Sequence, residues 1–290
     1  MISYAQNFED VLLRRLFPDQ AEGFYIDVGA GHPVNHSVTK HFYDRGWRGV
    51  NVEPTSHLFA TLCADRPRDV NLNLGLSESE GSLTFHEAPD SLGRSTFSDS
   101  WRDGWHRHDG CAFVARTVPV TTLARLCELH ADRPIDFLKV DVEGHEREVL
   151  AGADFRRWRP RAIVVEGGPD PWEPLLLSAD YLFAAFDGIN RYYLRAEDAA
   201  LRPALAAPVS VLDDFVPFEY LRPIEDLRGQ LDATRSALAE ATAQLDSLRT
   251  RLGPVDDLGP GSIALARWVR RTSRRHPRIS SLVRRMVRVA

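Results

Sequence analysis

Apolar positions in the first three quarters of the chain fall in short runs separated by stretches of helical spacing. Residues 24–28 are a continuous apolar-rich run closed by Gly29, the pattern of a strand buried on both faces. Residues 35–45 read as a helix stopped by Gly46, 50–53 as a second strand, 56–64 as a second helix ending near Pro67, and 71–76 as a third strand. Strand, helix, strand, helix, strand predicts right-handed crossovers and a parallel sheet, hence an α/β fold. Residues 82–87 alternate like an exposed strand, and 118–130 read as a turn and a helix. Residues 136–142 are the best buried strand of the chain and 162–166 the next. A helix is expected from 172 to 177. A closing hairpin is expected from 181–186 and 191–194 around Asp187–Asn190. Residues 89–113, rich in Ser, Asp, Gly, His and Trp, keep no period and read as a long loop or lid.

After Pro223 the period changes. Ile224, Leu227, Leu231, Thr234, Leu238, Ala241, Leu245, Leu248 and Leu252 follow 3-4 spacing, which predicts a coiled-coil helix over 223–252, weakened at Thr234 and Ala241. A lone amphipathic helix folded back on the body is the competing reading. Gly253-Pro254 ends the pattern, residues 253–262 form a hinge, and 263–290 are a basic tail with Ile279, Leu282, Val283, Met286 and Val287 on one helical face.

The composition admits a sizeable core: 290 residues, 43% hydrophobic and 9% aromatic, excluding wholesale disorder. No apolar run approaches membrane-span length, and no charged-then-apolar leader opens the chain. Cys63, Cys111 and Cys127 lack metal or redox spacing, so a reduced cytoplasmic location is expected, without disulfides. The net charge of −5 hides an asymmetry: nine arginines and no acid lie beyond residue 261, which puts −14 on the rest. An acidic body argues against nucleic acid as the partner. The basic tail fits the anionic inner face of a cell membrane, or an acidic protein surface. Only Lys40 and Lys139 are lysines, a bias that reads as genomic rather than chemical.

The strongest local signal is Asp27-Val28-Gly29-Ala30-Gly31 at the end of the first strand. Glycines at such a turn let a ligand approach the backbone, and the helix that follows offers free N–H groups. By itself Gly-x-Gly is also an ordinary tight turn. Glu53 closes the second strand, where an acid accepts hydrogen bonds from ribose hydroxyls. The third glycine of a dinucleotide fingerprint is missing, since Val34 stands there. Asp27 would repel a pyrophosphate but suits a cationic amino-acid end, as in S-adenosylmethionine. A nicotinamide-dependent oxidoreductase is thereby disfavoured.

Several ordered blocks resemble the FkbM-type methyltransferases. They are Tyr4 to Leu13, Gly23 to Ala30, Ser37 to Thr39, Phe42 to Gly49, Asn51 to Pro54, Asp136 to Gly144 (DFLKVDVEG), and Phe186 to Tyr193. The resemblance covers roughly residues 1–222. It implies a class I, Rossmann-like methyltransferase domain that uses S-adenosylmethionine and usually methylates hydroxyl oxygens of sugars or polyketide alcohols. Carried over by position, Asp27, Gly29 and Gly31 would cradle the methionine end, and Glu53 beside Pro54 the ribose. Asn73 to Leu76 would border the adenine. Gln6 and the hydroxyls of Ser37 and Thr39 would complete the pocket. A common family pattern has Asn where Gly31 stands.

Methyl transfer to an alcohol needs a proton acceptor at the carboxyl ends of the strands. Asp141 fits best and could touch cofactor as well. Glu143 and His145 follow it, and Glu166 ends the next strand. Plainer readings compete: Glu143 as a helix cap, His145 as an exposed helix residue, Glu146 and Glu148 as solvated. His106 and His108 lie in the expected lid, and His32 and His36 beside the glycine turn. Asp141, Glu166 and Asp187 could bind magnesium, a possibility not favoured. Trp101 and Trp105 could stack on a sugar ring. The expectation is O-methylation of a sugar hydroxyl on a glycosylated small molecule or lipid-linked glycan, by a homo-oligomer. The alternatives are a polyketide alcohol as acceptor, N-methylation, and a non-catalytic oligomerising scaffold.

Overall fold

The computed structural model describes residues 1–252 apart from Leu92, Pro169 and Asp170. The expected hinge at 253–262 and basic tail at 263–290 lie outside these residues. Met1–Arg222 form one compact unit and the chain from Pro223 a second.

The first unit is built on a seven-stranded sheet. From one edge its strands are Tyr181–Phe186, Asn190–Arg195, Ala162–Glu166, Phe137–Val140, Phe24–Val28, Arg48–Val52 and Val70–Leu72. All run parallel except Asn190–Arg195, which pairs antiparallel with both neighbours. The five residues of Phe24–Val28 are all buried, which is why that segment reads as an unbroken run rather than an alternation. Ile26, Val50, Leu138 and Ile163 pack one face, against Leu126, Leu150 and Leu176 of the covering helices. Tyr25, Phe137 and Val164 pack the other, against Leu13, Phe42 and Trp47. The order reverses between Phe24–Val28 and Phe137–Val140. This is the switch point at whose carboxyl end an open α/β sheet receives its ligand.

Three segments differ from the sequence pattern. The expected third strand at 71–76 divides into Val70–Leu72 in the main sheet and Gly75–Leu76 in a separate three-stranded sheet with Gly81–Glu87 and Val114–Thr121. Val114–Thr121, whose residues from 118 on read as a turn before a helix, is a strand instead; its side chains are mostly exposed and its seven-residue pairing with 81–87 is set by backbone. The helix expected at 35–45 is confined to Lys40–Asp44, since His36 holds a left-handed conformation. The supposed structureless stretch 89–113 contains the helix Asp99–Asp109, capped by Ser98 and closed by Gly110 at φ 75°. It buries none of its residues, so no apolar stripe marked it.

Arg66 is wholly buried, where its guanidinium donates to the carbonyl of Pro33 and to Ser37 Oγ at 3.0 Å, and lies 4.0 Å from Asp69. It ties the turn after the glycine loop to the sheet. Arg66→Ala is expected to cost about 3–5 kcal/mol, because Asp69 and the Pro33 carbonyl would lose a buried partner; urea denaturation measures it.

In the second unit the helix Phe218–Leu252 continues from Pro223 onward. Among the described residues no helix is long and apolar enough to cross a membrane.

Candidate active site

A cavity of about 510 Å³ opens at the switch point, within the about 300–1,000 Å³ usual for small-molecule sites. Its floor is the glycine turn. The N–H groups of Gly29 and Ala30 both donate to the Val52 carbonyl, at 3.0 and 3.1 Å, which draws the turn against the next strand. Gly29 has φ 75°, and a Cβ there would lie 1.8 Å from the Asp141 carbonyl oxygen. Gly31 has φ 61° and open space where a Cβ would be. Its N–H donates to Glu53 Oε2 at 2.8 Å, while Glu53 Oε1 accepts from the Thr55 N–H at 2.8 Å. Burial raises the Glu53 carboxyl above the ordinary glutamate range. Pro54, Leu58, Leu76 and Phe97 form an apolar wall beside it.

Opposite lies a charged cluster. One oxygen each of Asp141, Glu143 and Glu166 lie within 4.8 Å of one another. Lys139 Nζ reaches among them: it donates to the Gly29 carbonyl at 2.6 Å and sits 3.3 Å from Asp27 Oδ1 and 3.2 Å from Asp141 Oδ2. Burial opposes the lysine's charge, but Asp141 and Asp27 outweigh it and hold the ammonium well above the usual lysine range. Burial likewise opposes ionisation of Asp141; Lys139 reverses this and brings Asp141 below its ordinary value. Glu166 shares a hydrogen bond with Asp141, and this bond together with burial raises it to about 10. Glu143, at a strained φ of 55°, is raised to about 8 by burial, then by Asp141 and Glu146. Near neutral pH Asp141 is therefore ionised, Glu166 holds a proton donated towards it, and Glu143 stands close to its titration point.

Of the expected cofactor residues, Gln6, Gly29, Gly31, Glu53, Pro54 and Asp141 line the cavity. Asp27, only 1% exposed, lies beneath the turn, where Thr39 Oγ1 donates to it at 2.9 Å and Lys139 balances it. Ser37 and Thr39 are buried with it rather than set in the wall. Asn73 donates to the carbonyls of Glu53 and Pro54, at 2.9 and 3.0 Å, and holds that strand end from behind. Asp27, Ser37, Thr39 and Asn73 thus lie outside the cavity lining and support the residues that form it.

Among the catalytic candidates, Asp141, Glu143 and Glu166 share the cavity, and His145 does not. His145 is buried against Phe97, its Nε2 3.3 Å from Ser77 Oγ, and burial lowers its proton affinity. Glu146, read as solvated, is buried and accepts the N–H groups of Val142 and Gly144 at 3.2 and 3.0 Å, so it braces the turn that aims Glu143. Asp187 takes no part in the acidic cluster; it accepts the Ile189 and Asn190 N–H groups at 2.9 and 2.7 Å and closes the hairpin. His106 and His108 are exposed off the cavity. His32 lines it, but its Nδ1 accepts the N–H groups of Val34 and Asn35 at 3.1 Å.

Two cavity residues were missed from the sequence. Lys139 is one. Glu9 is the other: Asn190 Nδ2 donates to it at 2.8 Å across the mouth, and its signal was an acid among the buried positions of the helix Glu9–Leu16. The helix Asp99–Asp109 supplies Trp101 and Trp105, which line the cavity with ring centroids 6.3 Å apart. Trp101 lies so close to Gly144 that a Cβ there would meet its ring at 1.6 Å. Arg94 stacks on Trp105 at 4.2 Å.

A buried strand-end acid, a glycine turn open to a ligand, and a cluster of ionisable oxygens thus share one cavity with two tryptophans. A search of curated proteins finds no match to the chain. The family model described as the methyltransferase FkbM domain matches residues 27–192, more than half of the chain, and spans the glycine turn, the carboxylate cluster and the closing hairpin. The chain belongs to the FkbM methyltransferase family.

Proposed function

We propose that the protein transfers a methyl group from S-adenosylmethionine to a hydroxyl oxygen of a sugar, on a glycosylated small molecule or a lipid-linked glycan. The observation that carries this reading is the trio Asp141, Glu143 and Glu166, poised at different protonation states on the wall beside the glycine turn.

The cavity fits the donor: Gly31 leaves room against the backbone, Glu53 presents carboxylate oxygens where ribose hydroxyls can donate, and Leu58, Leu76 and Phe97 offer an apolar slot for a base. Bound there, S-adenosylmethionine would supply an electrophilic methyl group on a sulfonium. The chain's own residues do the rest. Trp101 and Trp105 present ring faces to the C–H faces of a sugar and exclude water. Glu143 accepts the acceptor's hydroxyl proton, because a base that titrates near the working pH combines availability with driving force. Asp141 and Glu166, sharing one proton, hold the acceptor oxygen in line. Lys139 offsets part of the cluster's negative charge.

Calorimetry with S-adenosylhomocysteine tests the donor site. Binding is expected in the wild type, and Glu53→Ala should weaken it about 10–100-fold, the worth of a charge-assisted pair of hydrogen bonds. No heat from the wild type would instead favour the scaffold reading. Transfer of isotope-labelled methyl to envelope glycans and glycosylated metabolites tests the acceptor class. Incorporation only into amines would overturn hydroxyl methylation.

A further inference from the structure

We propose that residues 224–252 of two copies of this chain pair as a parallel, two-stranded coiled coil. This is independent of the methyltransferase reading.

Every described side chain from Pro223 to Ser247 is exposed, including Ile224, Leu227, Leu231, Leu238 and Leu245. An apolar row of this length left in water favours association. The row is a strict seam. Ile224, Leu231, Leu238, Leu245 and Leu252 occupy one heptad position, and Leu227, Thr234, Ala241 and Leu248 the other, without a skip. A 3.5-residue period follows a partner helix that supercoils with it, whereas the stripe that faces a globular surface is wider and drifts.

The structure removes the objection raised by Thr234. Its hydroxyl donates to the Gln230 carbonyl at 2.7 Å within the same helix. Its polar atom is already partnered, so its methyl group can enter a dry seam without stranding a donor.

The flanks select the occupant. One flank carries Arg228, Arg235, Thr242 and Arg249; the other carries Gln230, Ala237, Gln244 and, at its end, Arg251. Trimers and tetramers bury more of these flanks, and arginines there resist it. An antiparallel pair sets the arginine flanks against each other. A parallel pair in register sets Gln230 against the partner's Arg235 and Gln244 against the partner's Arg249. Two copies of one chain are complementary in that arrangement alone, and it closes with twofold symmetry.

Sedimentation equilibrium of the full chain is expected to give twice the 32.7 kDa chain mass. Leu231→Glu/Leu238→Glu/Leu245→Glu should raise the dimer dissociation constant by at least about 100-fold, because three buried leucines are lost from each side. Donor-site binding by that variant shows the catalytic unit still folded. Thr234→Leu should tighten the dimer about tenfold, having no hydroxyl to place. In a Cys63→Ser background, Ala241→Cys should cross-link two chains on mild oxidation, since the seam residues of a parallel pair meet their own equivalents. A monomeric wild type, a dimer indifferent to the triple variant, or a trimer overturns the proposal. A dimer that never cross-links through position 241 overturns the parallel arrangement.

Discussion

Glu143→Gln is expected to cut methyl transfer by about 10²–10⁴-fold, the usual contribution of a positioned general base. S-adenosylhomocysteine affinity should change by less than about threefold, because the side chain meets the acceptor side of the cavity. The pH dependence is the sharper readout. In the wild type Glu143 titrates at about 8, so activity should rise along a limb centred near that pH, and the limb should vanish in the variant. Stability carries an opposite signature. A carboxyl raised from 4.5 to about 8 on folding favours the folded state at low pH, and that advantage is lost as the pH climbs through this window. Glutamine has no proton to lose. The variant should therefore gain stability over the wild type between pH 5 and pH 8, by a few kcal/mol at most. A variant with wild-type rates, paired with a silent Asp141→Asn, would remove the general base from the mechanism and point to an amine acceptor.

Lys139→Met is expected to destabilise the protein by about 3–5 kcal/mol at neutral pH and to abolish donor binding with it. Nothing else in the described structure stands between Asp27 and Asp141 with a positive charge, and the same ammonium holds the Gly29 carbonyl. The penalty should depend on pH in a defined direction. Asp141 is held below its ordinary range by Lys139, so in the wild type its ionisation stabilises the fold above the unfolded value and is lost as pH falls. Without the lysine that contribution disappears, and wild type and variant should converge as the pH falls below the unfolded aspartate value of 3.8 toward the lower folded one. The lysine's own proton stays bound throughout this range, because its folded value is raised. Denaturation at about pH 2, 4 and 7 measures the gap; a gap that did not widen from the lowest pH upward would show that Lys139 acts through packing alone. Lys139→Arg should not rescue, since a planar fork cannot reach two carboxylates and a carbonyl as a compact ammonium does.

That last point recovers a signal passed over in the sequence. With 34 arginines and two lysines, a lysine at 139 is a departure from the chain's own habit. Read as genomic bias, the shortage of lysine hid the chemistry; read against that bias, Lys139 marks a place where arginine does not fit. Glu146 misled in a similar way. Its position among charged neighbours implied a solvated face, but it is buried and accepts the N–H groups of Val142 and Gly144, four and two residues before it.

The α/β class, most of the strands of the main sheet and the family were legible because they rest on local features. Continuous apolar runs such as 24–28 and 162–166 are dictated by burial on both faces, and the glycine turn by a backbone conformation few other residues adopt. Side-chain direction was not legible. Asp27, Ser37 and Thr39 lie in the right blocks yet point beneath the turn, and His145 follows the carboxylates yet turns towards Ser77. One residue of rotation at a strand end moves a group from the cavity to the core, and spacing along the chain does not carry that information. Sequence alone therefore determined which segments become strands and which acids end them. The tertiary structure decided which acids face one another and share a lysine, because proton affinities depend on distances and burial that exist only once the strands are side by side.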